Sequence, residues 1–437
     1  MNTDRRLRRA RAPLTTAVVL VFVLASGLPA LAATWRVEAG GSIQETIAQA
    51  APGDVIEVAR AYYRENLRID RPVTLRGLDR PTISGGLAGD TIRVIAPRVT
   101  IEGFIVRDSG GSLLEQNAGI YVQPGAHATV VRRCDLVYNL FGLWIEKAHD
   151  VVVEHNLIVG KRDFDSSQRG NGIQLYNTER ARIVGNNISF VRDAIYVDVS
   201  HHAVFRGNRL HHSRYGTHYM NSYFNVWEDN DVWMNRGGLA LMEVRDQIVR
   251  RNRVWANSDH GIMLRTIQRA RVEDNIVAGN ARGFFIYDAQ DNVLEGNLVV
   301  DNLIGVHLSA GSIRNEVEGN DFILNREPVR YVGAKDEVWG ERAGNYWSQY
   351  AGWDRDGNGV GDIPAEAADV VDRLSWRYPV MKVLLASPAI EALRVVARQF
   401  PLLRAPSVVD PQPRMRPAHA DWPVWRGRHF PGARGPQ

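Results

Sequence analysis

Between residues 119 and 309 the apolar positions follow two periods at once. Within short segments they alternate: GIYVQ at 119, GLWIE at 142, GIQLY at 172, AIYVD at 194, GTHYM at 216, GLALM at 238, GIMLR at 261, GFFIY at 283 and GVHLS at 305. Strict alternation marks a half-buried strand, with the second and fourth residues facing in and the third and fifth facing out. The segments themselves return after 23, 30, 22, 22, 22, 23, 22 and 22 residues. Self-similarity at that spacing is the mark of a solenoid, because one such unit cannot bury its apolar face alone.

A second element lies between these segments and repeats an asparagine: Asn156, Asn186, Asn208, Asn230, Asn252, Asn275, Asn297 and Asn320. A coil of about 22 residues with two or three short strands fits a right-handed parallel β-helix, an all-β fold. The asparagines are then expected to form an internal ladder at a corner, with Cys134 in the same slot as a small buried residue. SIQETIAQA, residues 42–50, reads as a short amphipathic helix capping the first coil. The eight extra residues before 172 put KRDFDSSQRG in a protruding loop suited to docking.

The pattern stops after Asn325. SPAIEALRVVARQF reads as a helix with Ser387 as N-cap, Pro388 in its first turn, and Ile390, Leu393, Ala397 and Phe400 on one stripe. From Pro411 onward proline and arginine dominate, which predicts disorder. The expected organisation is a signal peptide over 1–32, the β-helix over 33–345, a loop and helical docking segment over 346–410, and a disordered tail over 411–437.

Stacking turns the outward positions into columns. One reads Tyr121, Trp144, Gln174, Tyr196, His218, Ala240, Met263, Phe285, His307. The other reads Gln123, Glu146, Tyr176, Asp198, Met220, Met242, Arg265, Tyr287, Ser309. His218, Met220, Met242 and Met263 therefore fall on three adjacent coils around the small Ala240. Coils stack about 4.8 Å apart, close enough for flexible thioethers to converge. Thioether plus imidazole suits Cu(I) and disfavours magnesium or calcium. The alternative is a protein-docking patch, since methionine packs adaptably and the columns are rich in aromatics. His212 and Met234, one coil apart at a corner, form a secondary metal candidate. A competing class is a polysaccharide-acting enzyme of the uronan epimerase or lyase type. In that reading Tyr196 under His218, with Asp198 diagonal to them, would abstract a sugar proton. Asp198 and Glu146 are two coils apart, and only Arg265 would attract a polyanionic sugar.

Composition narrows the partners. The 437 residues carry 53 Lys and Arg against 49 Asp and Glu. The N-terminus has Arg5, Arg6, Arg8, Arg9 and Arg11, an apolar run from Leu14 to Leu28, and then Ala30-Leu31-Ala32. That is the layout of a cleaved export signal. Removing 1–32 leaves 48 basic against 48 acidic side chains, so nucleic-acid binding gains no support from charge. A single cysteine cannot close an internal disulfide, so stability is expected from packing. In DRDGNGVGD, Asp354, Asp356, Asn358 and Asp362 match positions 1, 3, 5 and 9 of a calcium loop, with Gly359 at position 6. Position 12 is Ala365 rather than a bidentate glutamate, so a loop held by Asx turns competes with a structural calcium site.

The C-terminal runs GNYWSQYAGWDRDGNGVGD, VDRLSWRYPVMKVLLASPAIEALRVVARQFP and VVDP, together with the coils, resemble the NosD family over essentially the whole mature chain. NosD proteins are periplasmic β-helix factors for maturation of nitrous oxide reductase. The resemblance implies a non-catalytic partner of an ABC transporter, made of a membrane subunit and its ATPase. It also implies a link to a copper chaperone and to assembly of the reductase's copper–sulfide cluster. A resemblance to alginate epimerases would bring an Asp-Pro-His-Asp run, and none is present.

Overall fold

The computed structural model describes residues 32–309, 311–333, 335–367, 371, 374, 378–384, 387–399 and 407–426. Residues 1–31, which carry the expected signal, lie outside them, as does Phe400. Among the described residues no helix is long and apolar enough to cross a membrane.

Three parallel sheets of 13, 12 and 13 strands run the length of a solenoid, each strand bonded to its counterparts one coil earlier and one coil later. The glycine-led segments form the 12-stranded sheet. Their second and fourth residues, such as Leu239, Leu241, Ile262 and Leu264, are fully buried, as the alternation predicts. The leading glycines are needed because coils approach closely there. A Cβ on Gly238 would stand 2.2 Å from the Gly261 carbonyl oxygen and 2.5 Å from Val254.

The asparagine ladder is present. Asn156 Nδ2 donates to Asn186 Oδ1, and the same bond repeats through Asn208, Asn230, Asn252, Asn275, Asn297 and Asn320 to Asn345 at 2.9–3.0 Å. Each amide also donates to the backbone carbonyl of a neighbouring strand, as Asn252 does to Trp227. Cys134 takes the expected slot: its N–H donates to Asn156 Oδ1, and burial pushes its thiol up to about 11. A second ladder, Asn235, Asn257, Asn280, Asn302 and Asn325, lines another corner.

Both ends are closed. The helix Ile43–Gln49 seals the first coil with Ile43 and Ile47 fully buried, and Ser42 accepts from Glu45 N–H as N-cap. At the other end, Val408–Asp410 pairs with Glu337–Val338 and Ala365–Ala367. Trp347 stacks on Phe322 at 4.4 Å beneath that small sheet.

The segment from 411, expected to be disordered, is ordered as far as Arg426. Arg414 and the His419 Nδ1 both reach the buried Asp321 carboxylate at 2.7 Å. Trp425 packs on Ala278, Leu298, Val300 and Ile323. The reason is the outward column of the third sheet, which turns apolar at Ala278, Val300 and Ile323 and needs a cover. Residues 427–437 lie outside the described residues.

Burial raises the Asp321 carboxyl, but the His419 side chain and backbone and the Arg414 charge more than offset it, so its pKa is lowered on folding. A depressed folded pKa contributes stability present above the ordinary carboxylate value of about 4 and lost as pH falls through the folded value. Acid titration followed by tryptophan fluorescence should therefore release Trp425 below about pH 4. Asp321→Ala should show the released signal at neutral pH. An unchanged spectrum in that variant would mean that Trp425 is held without help from Asp321.

The helix Pro388–Gln399 starts at the expected proline. Ile390 is buried, while Val395 and Val396 are exposed. The inserted loop is tied at its root: the buried Lys161 donates to Ser109 O at 3.1 Å, and Arg169 Nε donates to the Phe164 carbonyl at 2.8 Å.

Candidate metal-transfer face

Strand pairing sets the columns directly. Tyr196 pairs with His218, His218 with Ala240, Ala240 with Met263, and Met263 with Phe285. In the neighbouring column Asp198 pairs with Met220 and Met242 with Arg265. The Tyr219–Leu241 pair, continued by one residue, sets Met220 beside Met242. The four side chains named from sequence thus stand on three consecutive coils around Ala240.

The face is more sheltered than alternation alone implied. The His218 side chain is 14% exposed and Met263 only 7%. Large neighbours one rung away shade Ala240, which alternation cannot anticipate because it registers direction and not the size of what stands above.

His218 is oriented from below. Its Nδ1 lies 3.2 Å from the Asp193 carboxylate, whose other bonds come from Arg214. The same Nδ1 lies 3.3 Å from Arg214 Nη2, so an acceptor and a donor together hold the ring through this one nitrogen. A carboxylate behind a histidine is the usual second shell of a metal-binding imidazole. Burial raises the Asp193 carboxyl, but His218 and Arg214 more than compensate, and its pKa falls. Met220 Sδ accepts a weak bond from Tyr196 O–H at 3.7 Å.

Sequence reasoning missed His260, the residue that opens HGIMLRTI. It is 2% exposed, and neither ring nitrogen has a hydrogen-bond partner. Asp259 is 3.6 Å from its Nδ1, beyond hydrogen-bond reach. Burial lowers its pKa, so the ring is neutral. It fits there because position 237 is glycine: a Cβ would come within 2.5 Å of His260 Nε2. The Tyr215 ring touches both imidazoles, 5.5 Å from His218 and 5.6 Å from His260. The available signal was Gly237-Gly238, where the other coils carry a single glycine or none.

The secondary pair fares differently. His212 and Met234 both adopt left-handed corner conformations one coil apart, with φ of 54° and 52°. His212 Nδ1 contacts His211 Nδ1 at 2.6 Å, and its ring stacks on Phe190. It also lines a cavity with Arg192, Arg214 and Arg236, surroundings that repel a cation.

In the Asp354 loop the carboxylate oxygens face the backbone. Asp354 accepts from the N–H groups of Gly357, Asn358 and Gly359 at 2.8–3.1 Å, and Asp362 accepts from Arg355 N–H. Asn358 Oδ1 accepts from Val360 N–H, while its amide donates to Asp356. These are the bonds of Asx turns. Among the described residues, no three His, Cys, Asp or Glu side chains gather as a metal site.

The enzyme reading places Tyr196 and His218 edge to face, with ring centroids 4.9 Å apart. Burial raises the Tyr196 phenol, the wrong direction for a base that must work as phenolate. Glu146 and Asp198 lie two coils apart, with Tyr176 between them.

Residues 154–352 match the family described as periplasmic copper-binding protein (NosD). A Pseudomonas aeruginosa protein named probable ABC transporter binding protein NosD is 38% identical over 374 residues, 82% of this chain and 87% of that protein. Its namesake in Stutzerimonas stutzeri is 34% identical over 370 residues, 81% of this chain and 85% of that one. Among solved structures, the Dettilon tailspike protein is similar at 13% identity and a TM-score of 0.49, over 63% of this chain and 61% of its own.

Proposed function

The chain belongs to the NosD family, and from that premise we propose a periplasmic accessory protein that works with an ABC transporter in maturing nitrous oxide reductase. In this reading it takes Cu(I) as transient cargo on the His218, Met220, Met242 and Met263 face, receiving it from a copper chaperone and passing it toward the copper–sulfide cluster. It performs no reaction itself, and ATP is spent by the transporter's ATPase.

The observation that carries this reading is the stacking of three methionines and a carboxylate-oriented histidine around Ala240. His260, whose ring nitrogens make no hydrogen bond, supplies a second imidazole on the coil of Met263. Soft, neutral donors with no carboxylate among them hold Cu(I) without trapping harder ions. Arg265, paired with Met242, keeps a positive charge beside the site, which favours brief residence over storage. Docking on the transporter is assigned to the 378–399 region, where Val380, Val383, Val395 and Val396 are exposed.

The test is an anaerobic Cu(I) titration of the mature protein against a competing chelator. Wild type should take up one Cu(I). The Met220→Leu/Met242→Leu/Met263→Leu variant should bind at least about 100-fold more weakly, since leucine conserves volume but offers no donor. Equal binding by both proteins would place the copper site elsewhere. No binding by either would make the methionines a docking surface and leave copper to the partners.

A further inference from the structure

A second feature is cationic and uses none of the methionines. Arg192, Arg214 and Arg236 follow one another at a single corner, 22 residues apart. Arg214 N–H donates to the Arg192 carbonyl at 2.7 Å, and Gly237 N–H donates to the Arg214 carbonyl at 2.9 Å. Adjacent coils lie about 4.8 Å apart, so three arginine residues share one short column.

This is unusual on this molecule. Elsewhere stacked arginines are answered by an acid on the neighbouring coil: Arg180 by Asp150, Arg251 by Asp229, Arg269 by Asp246, Arg314 by Asp291. Here Asp193 neutralises Arg214 from inside. Among the described residues no ion pair joins a carboxylate to Arg192 or Arg236; Asp259, one coil beyond Arg236, is engaged by Arg282. With Arg214 answered by Asp193, the two unanswered guanidinium groups belong to coils two rungs apart, about 9.6 Å by stacking, and both line the same cavity.

The column also opens into a cavity of about 520 Å³, within the range of small-ligand sites. Its far wall is the inserted loop, which contributes Ser166 and Ser167. That loop is braced by Arg169, whose Nη2 donates to the Arg162 carbonyl at 3.0 Å. The insertion occurs in this one coil of the repeat, where the spacing is 30 instead of 22 or 23. Both halves of the cavity are thus special to this level of the solenoid.

We propose that Arg192, Arg214, Arg236, Ser166 and Ser167 form a binding site for a small, doubly charged tetrahedral oxyanion of the sulfate, thiosulfate or phosphate class. Guanidinium forks match the paired oxygens of such ions, and hydroxyl donors complete the shell. Arg214 links the site to the metal face, since its Nη2 also lies 3.3 Å from His218 Nδ1. An anion that drew Arg214 outward would loosen its hold on Asp193, and so alter the group that orients His218.

Isothermal titration at low ionic strength, in chloride buffer without copper, tests the site with sulfate, thiosulfate and phosphate as separate probes. At least one should saturate a single site. Arg192→Gln/Arg236→Gln should weaken it by about tenfold or more, and Ser166→Ala/Ser167→Ala by a smaller factor. Neither arginine has a structural acid partner, so the double variant should keep the wild-type melting temperature, which is checked first. Saturation with undiminished affinity in the arginine variant overturns the proposal. So does failure of all three anions to saturate the wild type, which would leave the cavity to an acidic segment of a partner protein. Copper does not enter the readout, so failure here is separable from failure of the metal reading.

Discussion

Asp410→Ala should unfold the end of the solenoid well before its middle. The Asp410 carboxylate is fully buried and accepts from Asn345 N–H at 2.8 Å, Asn345 Nδ2 at 3.0 Å and Trp347 Nε1 at 2.9 Å. It stands where the next asparagine of the ladder would be, so it terminates that ladder. Alanine would orphan Asn345 N–H and Trp347 Nε1, while Asn345 Nδ2 retains the Val317 carbonyl, for a total of about 2–6 kcal/mol. Asp410→Asn keeps an acceptor oxygen in the same place and should recover more than half of the loss. Thermal unfolding joined to hydrogen exchange reads both effects. Fast exchange should appear around 320–347 in the alanine variant while 150–250 stays protected, because each coil contacts only its neighbours. Uniform loss of protection along the chain would show that the cap acts globally instead.

Asn252→Leu should cost about half as much, in the middle of the ladder. Its Oδ1 accepts from Asn230 N–H and Nδ2, and its Nδ2 donates to the Trp227 carbonyl, the Arg250 carbonyl and Asn275 Oδ1. Asn230 Nδ2 retains the Phe205 carbonyl, and Asn275 Oδ1 retains Asn252 N–H. The uncompensated group is then Asn230 N–H, for about 1–3 kcal/mol, because the Trp227 carbonyl lies inside a paired strand. An exposed control, Arg182→Leu, should change the melting temperature little, since Arg182 is an exposed strand residue with no ion pair among the described residues. If the two variants melt alike, the ladder contributes little and apolar packing alone carries the coils.

How far the sequence could be read differs by feature. The coil period and the outward columns were legible because parallel stacking preserves residue position from coil to coil. A repeat of 22 or 23 residues in the chain is therefore a repeat in space, and His218, Ala240 and Met263 could be aligned by counting. The asparagine ladder was legible for the same reason. The second ladder is shorter, because the coils before Asn235 carry Val191 and Ser213 in that slot. His260 was overlooked because nothing local distinguishes a histidine left without partners from one that has them.

The ends were the hardest to read. The composition of the last 27 residues suggested disorder, yet Arg414, His419 and Trp425 reach Asp321 and the apolar column beside it, about 100 residues back along the chain. Asp410 likewise becomes the end of a ladder that starts at Cys134.

By itself, then, the sequence determined the repeat: which residues face inward, which asparagines stack, and which side chains share an outward column. Translation along one axis carries that information without any knowledge of the whole. The tertiary structure alone decided how sheltered His218 and Met263 are, which imidazole is left unpaired, which arginines lack an acid, and where the tail lies. Each of those depends on what the neighbouring coil or a distant segment places within a few ångströms, and a linear pattern holds no distances between segments that do not repeat.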